Sequence, residues 1–439
     1  LLESAGQLQF LQCDAFKLTE ETTKLMWNST QQCDAVVLAG VLRKNTTLTS
    51  LNVASGKGEM GDYEREEVGK ALLANKKGKV GFCDIYGLVE GGSKTFTCDL
   101  RDKEQVRSMR SFQLLAGCLR ANTSVTCLSL RSMNNEHVEP LAEALRWNSS
   151  LKELRLEHPT KGSDMMVTTL PVQQLNGTRK LGSLDLCNAG EAMVGGQRQK
   201  SHCSRFACAM IGALLAENTT IESLKVNPGP ASEGGAFLEH LQRAKDSSLR
   251  TLDLTGIGLG DRGGAKFFES LQSGLCSMIT HFKLAGNALN DVSVGPLMVE
   301  VLRADTCSIT ALDLSSNSIS GTVLARAIQL NRSLTSLDIR NNPGIDDQAL
   351  WVLGGLLLAE SCNCRLGIIS CYAFDIEVDA TILDLKDTNL EGGAARLLTG
   401  VVKFSTCLEE LKLSGCTLGT ATLPSFAQAI MANRLLKVI

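Results

Sequence analysis

The chain has 439 residues, of which 44% are hydrophobic, 4% aromatic and 21% charged, and its formal net charge is −3. That length would ordinarily imply two or three domains, and so even a charge, without an acidic or basic tail, gives no reason to expect nucleic acid as a partner. The longest apolar run, Ala349 to Ala359, has 11 residues and two glycines, which excludes a transmembrane segment.

Residues 1–30 read as an N-terminal segment or cap. They carry no cleavable signal pattern, and a first residue of Leu rather than Met suggests a processed or partial chain. From about Gln31 onward one short pattern recurs: three apolar residues separated by two residues and then by one. It occupies Leu48/Leu51/Val53, Val80/Cys83/Ile85, Val125/Leu128/Leu130, Leu151/Leu154/Leu156, Leu181/Leu184/Leu186 and Ile221/Leu224/Val226. It continues through Leu249/Leu252/Leu254, Ile279/Phe282/Leu284, Ile309/Leu312/Leu314, Leu334/Leu337/Ile339, Leu383/Leu385 and Leu408/Leu411/Leu413, with a cut-off start at Leu436 and Ile439. The alternation within each triplet predicts a short strand with one buried face. A turn rich in Gly, Asn, Asp or Ser follows, and then apolar residues at helical spacing, as in Arg205 to Glu217, Arg262 to Ser273 and Val292 to Ala304. Recurrence at this interval predicts stacked repeats. Strands about 4.8 Å apart on one side and helices about 10 Å wide on the other would bend the stack into an arc.

The clearest copies are Ile309 to Ile319 and Leu334 to Ile345, joined by Lys283 to Leu289. They spell L-x-x-L-x-L-x-x-N-x-L, with Asn287, Asn317 and Asn342 in the asparagine position. In these residues the chain resembles the leucine-rich repeat family, in particular its ribonuclease-inhibitor-like class. The resemblance implies an α/β leucine-rich repeat solenoid, a horseshoe with an inner parallel β-sheet and outer α-helices, of about 12–14 repeats. It would make residues 31–439 a single domain with a truncated C-terminal repeat, whose exposed end needs a cap from missing chain or a neighbouring subunit. It also implies an asparagine ladder bonded to backbone from repeat to repeat. Gly56, Leu88, Met133, Pro159, Ala189, Gly229, Ile257 and Cys416 stand in that position elsewhere, so the ladder is expected to break there.

Three stretches disturb the rhythm, at about 80–100, 188–204 and 361–385. In the first and last, strand-like segments at 81–86 and 95–100, and at 366–370 and 381–385, are too close for a full helix between them. Each is either a repeat whose helix is replaced by a short loop or an insertion that leaves the ladder. Residues 188–204 read as a long polar loop.

The 16 cysteines read as small buried hydrophobes at positions such as Cys83, Cys118, Cys208, Cys407 and Cys416, with disulfides as the alternative. Sequons occur at Asn28, Asn45, Asn122, Asn148, Asn176, Asn218 and Asn331, but most fall at one repeat position, the helix-to-strand turn, where Asn and Ser/Thr are explained by local hydrogen bonding. An intracellular, reducing compartment, cytoplasmic or organellar, is therefore expected. The clusters Cys362/Cys364/Cys371 and His202/Cys203/Cys208 lack zinc-site spacing. The chain has no phosphate loop, H-E-x-x-H or G-x-S-x-G, and residues 260–264, Gly-Asp-Arg-Gly-Gly, read as a structural turn. No catalytic residue, metal or cofactor is expected.

What remains is the inner face, where residues between the apolar positions point away from the core. Arg131, Arg155, Asp185, Lys225, Asp253, His281, Lys283, Asp313, Asp338 and Arg340 are the candidate partner-binding residues. The function expected is a noncatalytic protein-protein interaction scaffold, a subunit of a larger assembly, binding through the concave face or the solenoid ends. Charge reversal of Asp253, Asp313 and Asp338 together should then weaken binding at little cost in stability. The repeats also resemble those of NOD-like receptors, which would imply a ligand-sensing region, and of the Ran GTPase-activating protein, whose acidic carboxyl-terminal stretch is missing from this sequence.

Overall fold

A computed structural model describes residues 10–439 apart from 14, 20, 30, 54–59, 102–107, 160–164, 195–196, 230–233, 245, 275–276 and 391. The chain divides into two compact units, Leu1–Ile221 with Asp246–Ser248, and Glu222–Lys245 with Leu249–Ile439.

In the first unit the repeat strands Ser50–Asn52, Phe82–Cys83, Cys127–Arg131 and Glu153–Pro159 fall on the apolar triplets, and helices such as Asp62–Ala74, Met109–Ala121 and Val138–Trp147 follow them. Lys24–Met26 is a further strand of this kind ahead of residue 31, parallel to Ser50–Asn52. The sheet containing Thr95–Asp99, Cys127–Arg131 and Glu153–Pro159 starts out parallel. It then becomes antiparallel through Met165–Pro171, Gly190–Val194 and Gln197–Ser201. The stretch expected as a polar loop is thus largely a hairpin. Its second strand, Gln-Arg-Gln-Lys-Ser, is held by backbone pairing and carries no apolar alternation by which to recognise it. Gly195 and Gly196 lie outside the described residues, as do residues 1–9 of the N-terminal segment and Gly56.

In the second unit, Ser223–Lys225, Thr251–Asp253, His281–Lys283, Ala311–Asp313, Ser336–Asp338 and Ile368–Ser370 pair in parallel without a slip in register. The central residues Leu224, Leu252, Phe282, Leu312, Leu337 and Ile369 therefore line up, and each is 2% exposed or less. Because side chains alternate along a strand, the residues on either side of this buried line face away from it. Helices Gly260–Gln272, Gly295–Arg303, Gly321–Gln329 and Asp347–Leu358 return the chain from one strand to the next. Among the described residues, no helix is long and apolar enough to cross a membrane.

Two sets of asparagines tie neighbouring repeats together. In the second unit, Asn287 donates to the carbonyls of Leu254 and Leu284, Asn317 to those of Leu284 and Leu314, and Asn342 to those of Leu314 and Ile339, at 2.8–3.1 Å. The Oδ1 atoms of Asn317 and Asn342 accept from backbone N–H groups of the preceding repeat. The second set comprises most of the sequon asparagines. Asn148 donates to the carbonyls of Leu119 and Asn122, Asn218 to Gln174 and Leu175, and Asn331 to Leu302. Each accepts from the N–H groups two and three residues on. Asn122, Asn148, Asn218 and Asn331 are 1–3% exposed, so their amides are committed to the fold.

Neither irregular pair of strands is joined into one ladder. Phe82–Cys83 pairs with Ser50–Asn52, whereas Thr95–Asp99 pairs with Cys127–Arg131. Likewise Ile368–Ser370 pairs with Ser336–Asp338, and Ile382–Asp384 with Glu410–Lys412. The missing helix is replaced by the single turn Asp84–Tyr86 in the first case and by a bend at residues 371–381 in the second.

Candidate functional site

The register of the second unit sets its outward-facing side chains in rows. Lys225, Asp253, Lys283, Asp313 and Asp338 are direct neighbours on successive strands, and Thr251, His281, Ala311 and Ser336 form the row beside them. Lys283 and His281 are exposed, and the other charged members are half-buried. Opposite charges alternate over the first four positions.

The aspartates have a local role as well as a charge. Oδ1 of Asp253 accepts from the N–H of Thr255, Asp313 from Ser315 and Asp338 from Arg340, at 2.9–3.0 Å. Asp99, Asp185 and Asp384 repeat the bond with Arg101, Cys187 and Lys386. Each carboxylate closes a turn two residues on at the end of its strand, a geometry that Asp and Asn adopt readily. The recurrent L-D-L is thus turn chemistry. Charge reversal at Asp253, Asp313 and Asp338 consequently removes three turn-closing acceptors, and the expectation that it would leave stability nearly unchanged is replaced by a loss. This bond also turns the carboxylates toward the turns, leaving Lys225 and Lys283 without a carboxylate partner among the described residues.

Where two aspartates fall side by side, the structure supplies a cation. Arg340 donates to both oxygens of Asp338, Nη2 to Oδ2 at 2.6 Å, and its Nη1 lies 2.6 Å from Asp375 Oδ2. The hydrogen bond with Asp338 is the main reason that this guanidinium is held still more firmly in its charged form, and Asp375 and Asp313 add to the field. The repulsion between Asp313 and Asp338 is thereby relieved from within the chain. His281 Nδ1 lies 2.7 Å from Thr280 Oγ1. Partial burial, and secondarily Lys283, lower its affinity for a proton.

In the first unit Arg131 is joined to Glu157, which also accepts from Ser129 Oγ at 2.7 Å, and Arg155 pairs with Glu153 at 3.0 Å. Arg131 and Arg155 thus have partners in their own sheet, and Asp185 lies on the strand Ser183–Asp185, outside that sheet. Seven of the ten candidates lie together. Lys225, Asp253, His281, Lys283, Asp313, Asp338 and Arg340 form one surface in the second unit. Two further members escaped the sequence. Glu157 was accessible, since it stands two residues after Arg155 on the same face of the strand. Asp375 carried no signal, because its place depends on how the helix-free segment folds back.

A Leucine Rich repeat family profile matches residues 330–350. Human NACHT, LRR and PYD domains-containing protein 5 is 26% identical over 248 residues, covering 52% of this chain and 20% of that protein. Human NACHT, LRR and PYD domains-containing protein 2 is 26% identical over 186 residues, covering 36% and 17%. The chain thus spans no more than a fifth of the length of these relatives. Among solved structures, leiomodin-1 actin-binding site 2 matches 31% of this chain and 76% of its own at 22% identity and a TM-score of 0.27, too low to bear on fold or function. Repeats of this kind serve protein interaction or ligand sensing. The paired strands, the asparagine ladder and these similarities agree on a chain built of leucine-rich repeats that is similar, over part of its length, to the NACHT, LRR and PYD domains-containing proteins.

Proposed function

We propose that the chain is a noncatalytic protein-interaction scaffold, a subunit of a larger assembly, and that it binds a protein partner through the strand face bearing Lys225, Asp253, His281, Lys283, Asp313, Asp338 and Arg340. The observation that carries this reading is the pair of lysines held in register beside aspartates whose carboxylates are bent toward their own turns. Charges left unmatched within a chain are the ones that complementary charges on a partner satisfy, and they set specificity and encounter rate more than bulk affinity. Arg131 and Arg155, already paired in the first unit, are assigned a lesser part. A reducing compartment fits the fifteen described cysteines, all of which are free thiols.

Crosslinking with mass spectrometry on material purified gently from its native source tests the reading. Crosslinks from Lys225 or Lys283 to a fixed set of proteins are expected. A chain without neighbours, or crosslinks confined to the helices, would contradict it. A ligand-sensing role is the second reading, favoured by the similarity to NACHT, LRR and PYD domains-containing proteins. It requires a nucleotide-binding module in the same polypeptide, which sequencing of the full transcript would reveal. No observation favours GTPase activation of the Ran type.

A further inference from the structure

We propose that the row Lys225, Asp253, Lys283 and Asp313 is a track for one α-helix of a protein partner, a helix that presents acidic and basic side chains in alternation, one per turn. The inference rests on the strand-face reading above and names the partner's form and charge pattern.

The pitch of the row distinguishes a helix from an extended segment. The four residues are direct register partners on four adjacent strands, so their backbones are about 4.8 Å apart. A helix advances 5.4 Å per turn and drifts from the row by only about 2 Å over three steps. An extended segment presents like-facing side chains about 6.7 Å apart and drifts by about 6 Å. The width agrees. Each strand of the row is three residues long, about 10 Å, which accommodates one helix and is narrow for a second sheet with its own helices.

The floor is also shaped for close approach. Thr251, Ala311 and Ser336 flank the charged row on one side, with His281 the one large member, and Thr255, Ala285 and Ser315 follow the strands on the other. His281 stands beside Lys283 on the same strand, and neither lysine of the row has an internal counter-ion among the described residues. Each aspartate commits Oδ1 to its turn, leaving Oδ2 for a partner's Lys or Arg. The track ends where Arg340 takes both oxygens of Asp338.

The test uses the intact chain and two synthetic helical peptides of about 20 residues, cyclised on the far face. One carries Glu, Lys, Glu, Lys at successive turns; the other has the same composition arranged Glu, Glu, Lys, Lys. Fluorescence anisotropy at low ionic strength should show the alternating peptide binding about fivefold or more tightly, and K225E/K283E should erase that preference with the melting temperature retained. Equal binding of the two peptides, or a preference that survives in K225E/K283E, would overturn the proposal. So would self-association of the chain that sedimentation shows to be lost in K225E/K283E, because a second copy would then occupy the row. If K225E/K283E releases the neighbour found by crosslinking while the two peptides bind alike, the helix is refuted and the strand-face reading stands.

Discussion

In the first unit the chain passes from strand Phe82–Cys83 to strand Thr95–Asp99 without an α-helix between them, and in the second it passes from Ile368–Ser370 to Ile382–Asp384 in the same way. The surrounding parts correspond. With no helix in between, Asp62–Ala74 packs directly on Met109–Ala121, and Asp347–Leu358 on Gly392–Phe404. Glycines permit the approach. A Cβ on Gly69 would overlap the backbone of Gln113, and one on Gly354 would lie 2.5 Å from the carbonyl carbon of Arg396. Where the shortened repeat begins, Gly81 and Gly367 each sit against the last backbone turn of the following helix, at Ala121 and Phe404. At the other end, Asp62 accepts from Ser111 Oγ at 2.6 Å, and Asp347 accepts from the N–H groups of Gly393 and Ala394 at 2.8 and 3.3 Å.

The two differ at their tyrosines. Tyr86 is 7% exposed and donates to the Ser111 carbonyl at 2.8 Å, so its ring fills the space of the absent helix. Tyr372 is 58% exposed and reaches Asp347 from outside. The comparison teaches that omission of a helix is a repeatable structural unit defined by its glycines, and that the tyrosine is the part free to diverge.

The glycines should show the largest effect. G69V and G354V each force side-chain atoms into a neighbouring backbone and should cost about 3 kcal/mol or more, read as a large drop in the unfolding midpoint. Tolerance of one and not the other would break the equivalence. Next, D253A/D313A/D338A should lose about 2 kcal/mol in all through its three turn bonds, whereas D253N/D313N/D338N retains the acceptors and most of the stability. Equal losses would assign the effect to charge. D347A should cost about 1 kcal/mol by uncapping the helix Gly392–Phe404, and chemical denaturation would measure it. The tyrosines sharpen the contrast, because Y86F removes the buried hydrogen bond that Tyr86 adds to the Ser111 carbonyl and should cost about 1 kcal/mol, with a clearly smaller shift for Y372F.

The smallest expected effect is a pH dependence to which the first of the two regions contributes through His137. His137 packs edge-on against Phe112 of the helix Met109–Ala121, with ring centroids 4.7 Å apart, and burial lowers its proton affinity from the ordinary 6.5. The unfolded chain therefore binds the proton more readily. Stability contributed by the neutral ring is complete above about pH 7 and declines as pH falls below 6.5 toward the lowered value. Unfolding midpoints at pH 7.5 and 5.5 should differ less in H137Q than in the parent, with the residual slope of the same sign coming in part from His281.

Most of this architecture was legible in the residues. The triplets from Leu48 to Leu413 mark the repeat strands because a half-buried strand must alternate, and Asn287, Asn317 and Asn342 announce their ladder by position. The hairpin Gly190–Ser201 was not legible, since polar strands leave no periodic trace. The helix-free segments were visible as spacings too short for a helix, but the glycines that make them workable are informative only once two helices are known to touch. At the candidate surface, sequence located the charged positions. It left open which charges were already satisfied, because the Arg340 to Asp375 pairing depends on the path of a bend.

The most direct test of the strand-face reading is the reactivity of Lys225 and Lys283 toward acetylation in the native assembly and in the isolated chain, with Lys266 on the helix Gly260–Gln272 as reference. The account predicts that both strand lysines are protected in the assembly and reactive in isolation while Lys266 changes little. Unchanged reactivity at both, with protection at Lys266, would contradict it and move the interface to the helices.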